Sequence, residues 1–480
     1  MKKIILGFTM LQTLALYSAA FEATLKQGSA SDFIDTEIWK GASDSKPGYP
    51  GFDDDVKILP HQFTENYSLR LDFPGLTGED SIGFKSLSLD IENSLGIIIM
   101  PKVSDFRIDG DFVKISQTEL KDGKLRAKGN HAATSLVSYF GDSTTNFSVK
   151  GNVRLIDKAI NRTSSMFFGA YTTGGEFRGQ SFFDKFEVGG DLELVNQKFA
   201  VATRDGRNAI IKGQVKFDSA ASGRTGILAL NHDYRPEAGN LEQTLKVGGL
   251  ESLSSGAGIV TTRTGMQRLV DLKADEVQNP KDPIGKVIVG DQVVRAGVLE
   301  IVGKGGEFSG EIRDNFNVDD KRGKVGLIMN SPNGKQVLSG KITYTGETLI
   351  KAGELILNGA YPIGNLKLIG GNVGFTSETL TVKDLSWSSG GFSIDFAKNR
   401  GIVIEGDINT SVIPEALDTF VFSNITPRKA YTILSFENKK NALSAFSGKR
   451  IEYADAATGK VYEAIFGISD VAFTIVFMPK

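Results

Sequence analysis

From Val337 to Gly359 the chain reads VLSGKITYTGETLIKAGELILNG, three short alternating runs each closed by a glycine or a small polar residue. Leu338, Ile342 and Tyr344 alternate with polar neighbours, as do Thr348 with Ile350 and Leu355 with Leu357, so each run has one dry face and one wet face. Gly340, Gly346, Gly353 and Gly359 fall between the runs, where the backbone turns a corner and positive φ is expected. Runs this short cannot bury a face alone. They read as one coil of a stacked β-solenoid.

The rhythm extends toward the N-terminus in looser form. Phe147-Ser-Val-Lys-Gly-Asn-Val-Arg-Leu155 and Phe186-Glu-Val-Gly-Gly-Asp-Leu-Glu-Leu194 share the pattern apolar-x-apolar-x-Gly-(Asp/Asn)-apolar-x-apolar, and Leu245 to Leu253 keeps most of it. Looser versions stand at Phe106–Phe112, Ile211–Phe217 and Val287–Val293. The corner glycines 110, 151, 190, 213, 249 and 290 are unevenly spaced, which argues for variable loops on a common coil. The expected fold is an all-β, right-handed parallel β-helix with capped ends. At roughly 20 to 25 residues and about 4.8 Å of rise per coil, it would form a rod on the order of 90 Å long. Phenylalanine, 31 residues against 11 tyrosines and 2 tryptophans, suits a dry interior of stacked rings.

The first 20 residues carry an address. Lys2 and Lys3 precede an apolar run from Ile4 to Tyr17, and Ser18-Ala19-Ala20 offers small residues for cleavage, the order of a secretory signal peptide. No later stretch has the roughly 20 apolar residues of a spanning helix, so no transmembrane segment is expected in the mature chain. The chain has no cysteine, so a lipoprotein anchor and disulfide support are both excluded. Loss of Lys2 and Lys3 would move the formal charge from −2 to −4, which suggests neither nucleic-acid nor polybasic membrane binding.

Gly297-Val-Leu-Glu-Ile-Val-Gly303 followed by Phe308-Ser-Gly310, then Leu338-Ser-Gly340 followed by Tyr344-Thr-Gly346, then Gly364 to Phe375, together resemble the autotransporter-associated β-strand repeat, also called the passenger-associated transport repeat. Trp39 with Pro47 to Ile58 is similar to the opening segment of such proteins. The match covers about a third of the chain. It departs at Gln336, where the repeat has an inward leucine, and at an extra residue between Gly303 and Phe308. The resemblance implies a bacterial passenger at the cell surface or outside the cell. The residues after Gly359 are too few for the usual outer-membrane barrel and read instead as more coils, including Leu380–Trp387, Phe392–Phe396, Ile402–Ile404 and Val471–Met478. A separate outer-membrane translocator, another export route or a periplasmic location is then expected. The organisation read from the chain is a signal peptide (1–20), an N-terminal capping segment (21–60), degenerate coils (61–296), the recognised repeats (297–360), and C-terminal coils with a cap (361–480). The cap is assigned to Val461–Lys480.

Chemistry is sparse. His61, His131 and His232 are far apart and lack metal-ligand spacing, and no nucleophile elbow or phosphate loop is present. The densest polar cluster, Asn231-His-Asp-Tyr-Arg-Pro-Glu237, offers acid, base and cation for a sugar or a catalytic carboxylate, or is a solvated loop with a turn at Pro236. Asp314-Asn-Phe-Asn-Val-Asp-Asp320 and Asp53-Asp-Asp55 offer oxygen ligands to calcium without the spacing of a calcium β-roll. Lys439, Lys440, Lys449 and Arg450 would suit an anionic glycan or simply keep a face soluble. Tyr139, Tyr171, Tyr234 and Trp387 are the aromatics not obviously interior. No catalytic, cofactor-binding or metal residue is assigned. Three classes stay open: a structural or adhesin-like surface rod with a host or matrix glycan or protein as partner, a polysaccharide-degrading β-helix, and a non-catalytic carbohydrate-binding module.

Overall fold

The computed structural model describes residues 20–23, 30–32, 39–40, 50, 54–58, 67–70, 81–92, 96–99, 103–117, 133–137, 146–158, 164–168, 183–201, 203, 206–221, 223–230, 242–262, 295–315, 323–411, 420–437, 440–455 and 457–480. The expected signal peptide lies outside them except for Ala20, which opens the strand Ala20–Ala23. The described residues are almost entirely β. They contain no α-helix, and the one helical element is a 3-10 turn, Lys440–Phe446.

Two long sheets, of 26 and 10 strands, are built mostly from parallel pairs, a pattern compatible with a β-solenoid. Parallel pairing requires the chain to leave one strand and return beside it in the same direction, which is what segments with one inward face achieve by lying on one another. Phe112–Gln117 pairs with Ser86–Glu92 on one side and with Val153–Asp157 on the other. The first sheet has local register shifts, after Ile211, Met329 and Leu368 among others, but one row runs through it without a break. Ile82, Phe106, Phe147, Phe186, Ala209, Leu245, Leu299, Leu327, Thr348, Leu366, Leu385 and Ile408 form one row of successive cross-strand partners, all buried. Because side chains alternate with period two, a one-residue slip at any rung would turn this apolar row to solvent, and that cost fixes the register.

Within the row, Phe106, Phe147 and Phe186 stack with centroids 5.9 and 5.7 Å apart and planes within 7°. The second sheet supplies the opposite wall. Phe168, from Ser164–Phe168, reaches Phe147 at 5.2 Å and Phe186 at 4.9 Å. Each such ring contributes about 1.5–3 kcal/mol through burial, and each ring pair roughly 0.5–1.5 kcal/mol more.

In the segment Val337–Gly359, Leu338, Ile342, Tyr344, Thr348, Ile350, Leu355 and Leu357 are all buried, as the alternation predicts. The polar members are satisfied internally, with the Tyr344 and Thr348 hydroxyls 2.6 Å apart. The corner glycines follow a different rule from the one expected. Of Gly340, Gly346, Gly353 and Gly359, only Gly353 has positive φ, at +83°. The others stand where the backbone of a neighbouring rung comes too close for a Cβ.

Successive rungs lie as near in sequence as Ile350 and Leu368 and as far apart as Val247 and Ile301. Inserted segments therefore take up chain that the expected rod would have used for rungs. From Ile82 to Ile408 the row spans roughly 50 Å at about 4.8 Å per step.

The parallel pairing stops at Ala430–Ser435. This strand is parallel to Gly401–Ile404 on one side and antiparallel to Ala472–Pro479 on the other, and the sheet continues antiparallel through Val461–Ile468 and Arg450–Ala454. The run Val471–Met478, expected as a further coil, is thus part of an antiparallel sheet. Its apolar face closes over an aromatic cluster in which Phe396 stacks on Tyr431 at 3.9 Å and Phe477 meets Phe422 at 5.5 Å. The outermost strand carries charge, with Arg450 paired to Glu463 and Lys480 to Glu452, which discourages addition of another strand.

Candidate functional site: a buried lysine and its polar neighbours

The inward row beside the phenylalanines reads Ile58, Leu89, Lys114, Leu155, Leu194 and Phe217. A lysine occupies one rung of an otherwise apolar stack because Phe112, Lys114 and Ser116 share the inward phase of Phe112–Gln117. The next inward row places Ser116 opposite Asp157. At the following rung the chain crosses from the first sheet to the second through Asn196, whose φ of +50° lies in the left-handed region that asparagine tolerates. That turn delivers Gln197 to the same pocket.

Lys114, Ser116, Asp157, Asn196 and Gln197 are each 0% exposed. Lys114 Nζ donates to the Ser165 carbonyl at 2.7 Å and to Gln197 Oε1 at 3.4 Å, and Gln197 Nε2 donates to Ser116 Oγ at 3.1 Å. Burial pushes the Lys114 ammonium down to about 7, and the charge of Asp157 opposes that shift. Near neutrality an amine, a carboxyl, a carboxamide and a hydroxyl thus meet in a dry interior. The cluster is shut off from solvent.

Two further polar devices hold the rungs. At one corner Asp111 Oδ1 accepts the Asn152 N–H at 2.7 Å, Asn152 Oδ1 accepts the Asp191 N–H at 2.9 Å, and Asp191 Oδ1 accepts the Gln214 N–H at 2.8 Å. This ladder is the physical content of the Gly-(Asp/Asn) pattern. Three rungs on, Gln336 is fully buried. Its Oε1 accepts the Leu250 N–H at 2.9 Å, and its Nε2 donates to the Leu250 and Gly306 carbonyls, each at 3.1 Å. Gln214 donates to the neighbouring Gly305 carbonyl. The amide at position 336 therefore bonds backbone groups where the strand between them is interrupted, from Ile301 to Glu307.

The outer face is charge-compensated. Arg154, Glu193, Lys216 and Glu251 follow one another across strands, and Arg154 Nε lies 2.8 Å from Glu193 Oε2. Lys185 and Lys212, hydrogen-bonded to Glu187, hold its carboxyl below the usual range. Burial pushes Asp191 up, but the bonds from Lys216 and the Gln214 N–H outweigh it and leave the carboxyl below its ordinary value.

Of the residues singled out in the sequence, His61, His131, His232, Tyr139, Tyr171, Asp53, Lys439 and the cluster Asn231–Glu237 with Tyr234 lie outside the described residues, as does the Phe316–Asp320 part of the second acidic run. Asp314 spends its carboxylate on the chain, with Oδ1 accepting the Val325 N–H at 2.9 Å and Oδ2 the Thr345 hydroxyl at 2.6 Å. Asp54 is buried, and Asp55 accepts from Lys85 and Ser86. Among the described residues no group of three or more histidines and carboxylates could hold a metal ion. Lys449 and Arg450 are exposed, with Arg450 paired to Glu463. Trp387, not obviously interior from the sequence, is 1% exposed and donates from Nε1 to the Gly390 carbonyl at 3.0 Å. It follows Leu368 in an inward row because Leu385 and Trp387 share one phase. Among the described residues no helix is long and apolar enough to cross a membrane.

The fold and site define a stacked, mostly parallel β protein with a buried polar cluster. Comparison with known proteins gives no matching family model, no matching curated protein and no matching solved structure.

Proposed function

We propose that the chain is an exported right-handed parallel β-helix of the autotransporter-associated repeat type, acting as a structural or adhesin-like rod at the bacterial cell surface or in the extracellular space, and not as an enzyme. The observation that carries this reading is the unbroken inward row from Ile82 to Ile408, accompanied outside, from Arg154 to Glu251, by alternating charges. Such a stack displays loops along its flank and gains stability rung by rung. Export is supported by the Lys2-Lys3, apolar, Ser18-Ala19-Ala20 order. The non-enzymatic reading rests on the sequence, which offers no nucleophile elbow, phosphate loop or metal-ligand spacing. The partner would be a host or matrix glycan or protein, reached through a separate translocator.

The experiment is protease treatment of intact cells followed by fractionation. Loss of the protein on shaving, or its presence in the medium, is the expected result. Protection in the periplasm would overturn the surface role. Release of reducing ends or unsaturated sugar from acidic polysaccharide would overturn the non-enzymatic one.

A further inference from the structure

We propose that the side chains of Lys114 and Gln197 become joined by an isopeptide bond, a covalent staple between rungs inside a chain that has no cysteine. Lys114 Nζ already lies 3.4 Å from Gln197 Oε1, so the carboxamide carbon Cδ is one bond from its contact. The partners are separated by 83 positions in sequence, and one rung lies between them. The bond would therefore tie three successive rungs together.

The pocket holds each part in place. The Ser165 carbonyl takes one Nζ hydrogen at 2.7 Å, and Ser116 Oγ takes one from Gln197 Nε2 at 3.1 Å. Both partners are fully buried, so the nucleophile and the carbon are confined together and water that would hydrolyse the amide to a carboxylate is kept out. Desolvation also favours the uncharged amine, the form that carries a lone pair.

The step balances without an oxidant or co-reactant. The Nζ lone pair attacks Cδ and forms the C–N bond. One Nζ proton passes to Nε2, the Cδ–Nε2 bond breaks, and nitrogen leaves as ammonia. Asp157, buried on the intervening rung opposite Ser116, is the group proposed to carry that proton. Asp157 is assigned as the acid–base, Lys114 as the nucleophile and Gln197 as the acceptor.

The test is the intact mass of the purified full chain, followed by tryptic mapping. The expected mass is about 17 Da below the sequence mass, one ammonia lost in the amine-for-amide exchange. Mapping should give a branched peptide in which Lys114 resists trypsin and is joined to the peptide containing Gln197. Lys114→Met and Gln197→Met should each restore the full mass, and Asp157→Ala should slow linkage at least tenfold in chains followed from synthesis. A full sequence mass with tryptic cleavage at Lys114 overturns the proposal. So does a 17 Da deficit with both peptides linear, the mark of a cyclised asparagine or N-terminal glutamine. Equal linkage rates in wild type and Asp157→Ala would overturn the role of Asp157. The wild-type measurement decides the main question whether or not a variant folds.

Discussion

Gly190 and Asn152 compete for one position at the corner of the stack: a β-carbon on residue 190 would fall on the Asn152 Oδ1 that accepts the Asp191 N–H, and 2.8 Å from the Gly151 carbonyl. Gly190→Ala is therefore expected to destabilise by about 2–4 kcal/mol, by a clash with backbone that has nowhere to move. Asn152→Ala, which removes one accepted hydrogen bond, should cost only ~1 kcal/mol. Denaturant unfolding of the two single variants and the double variant checks this. The double should cost less than the sum, because Asn152→Ala frees part of the space while the Gly151 carbonyl stays.

Phe147→Ala removes a ring stacked on both neighbours and touching Phe168, and an expected loss of about 3–5 kcal/mol follows. Hydrogen exchange should show the loss concentrated in the adjoining rungs, with the antiparallel sheet at the C-terminus little changed. Uniform loss across the chain would contradict rung-by-rung stability.

Gln336→Leu puts an apolar residue at a buried position, yet it should destabilise by about 2–4 kcal/mol, because it strips the Leu250 N–H and the Gly306 carbonyl of their buried partner. Thermal unfolding against Gln336→Met, which loses the same bonds, should give similar costs. A neutral Gln336→Leu would show that Gln336 is not holding the interruption together.

Gln197→Met keeps Lys114 an amine and makes its titration visible. In the folded state this lysine titrates near 7, against about 10.4 in the unfolded chain. Between these values the unfolded state binds more protons, so stability rises with pH across that window by up to roughly 1.4 kcal/mol per pH unit, and is flat in this respect below it. Unfolding of Gln197→Met at pH 7 and pH 9 checks the sign, and adding Lys114→Met should remove the slope.

Trp387 offers an optical check on its own placement. With Trp39→Phe, the only remaining tryptophan should emit in the blue, resist acrylamide quenching and ignore added polysaccharide. Ready quenching would put the ring outside.

Some of this was legible in the chain and some was not, for reasons that individual residues make plain. Leu338 to Leu357 were readable because strict alternation and burial report the same thing. The Gly-(Asp/Asn) pattern was readable as a corner, but its cause was not, since the ladder from Asp111 to Gln214 depends on each rung lying on the next. Trp387 was not obviously interior, although it shares a phase with Leu385. Lys114 has an inward phase set by Phe112, but Ser165 and Gln197 arrive from 51 and 83 positions away, and no local pattern announces them. Pairing direction at Ala472–Pro479 was equally hidden, because an alternating run reads the same in a parallel or an antiparallel sheet.

The unequal spacing of the rungs has a consequence for how the molecule comes into being. Between Leu327 and Ile408 each strand meets its partner after a short excursion of chain, whereas Leu245 reaches Leu299 only across a long one. Closing a short loop costs less entropy and happens sooner. The rungs from Leu327 to Ile408, like those joining Ile82 to Phe106 and Phe186 to Ala209, are therefore expected to close early, and the join from Leu245 to Leu299 to close late.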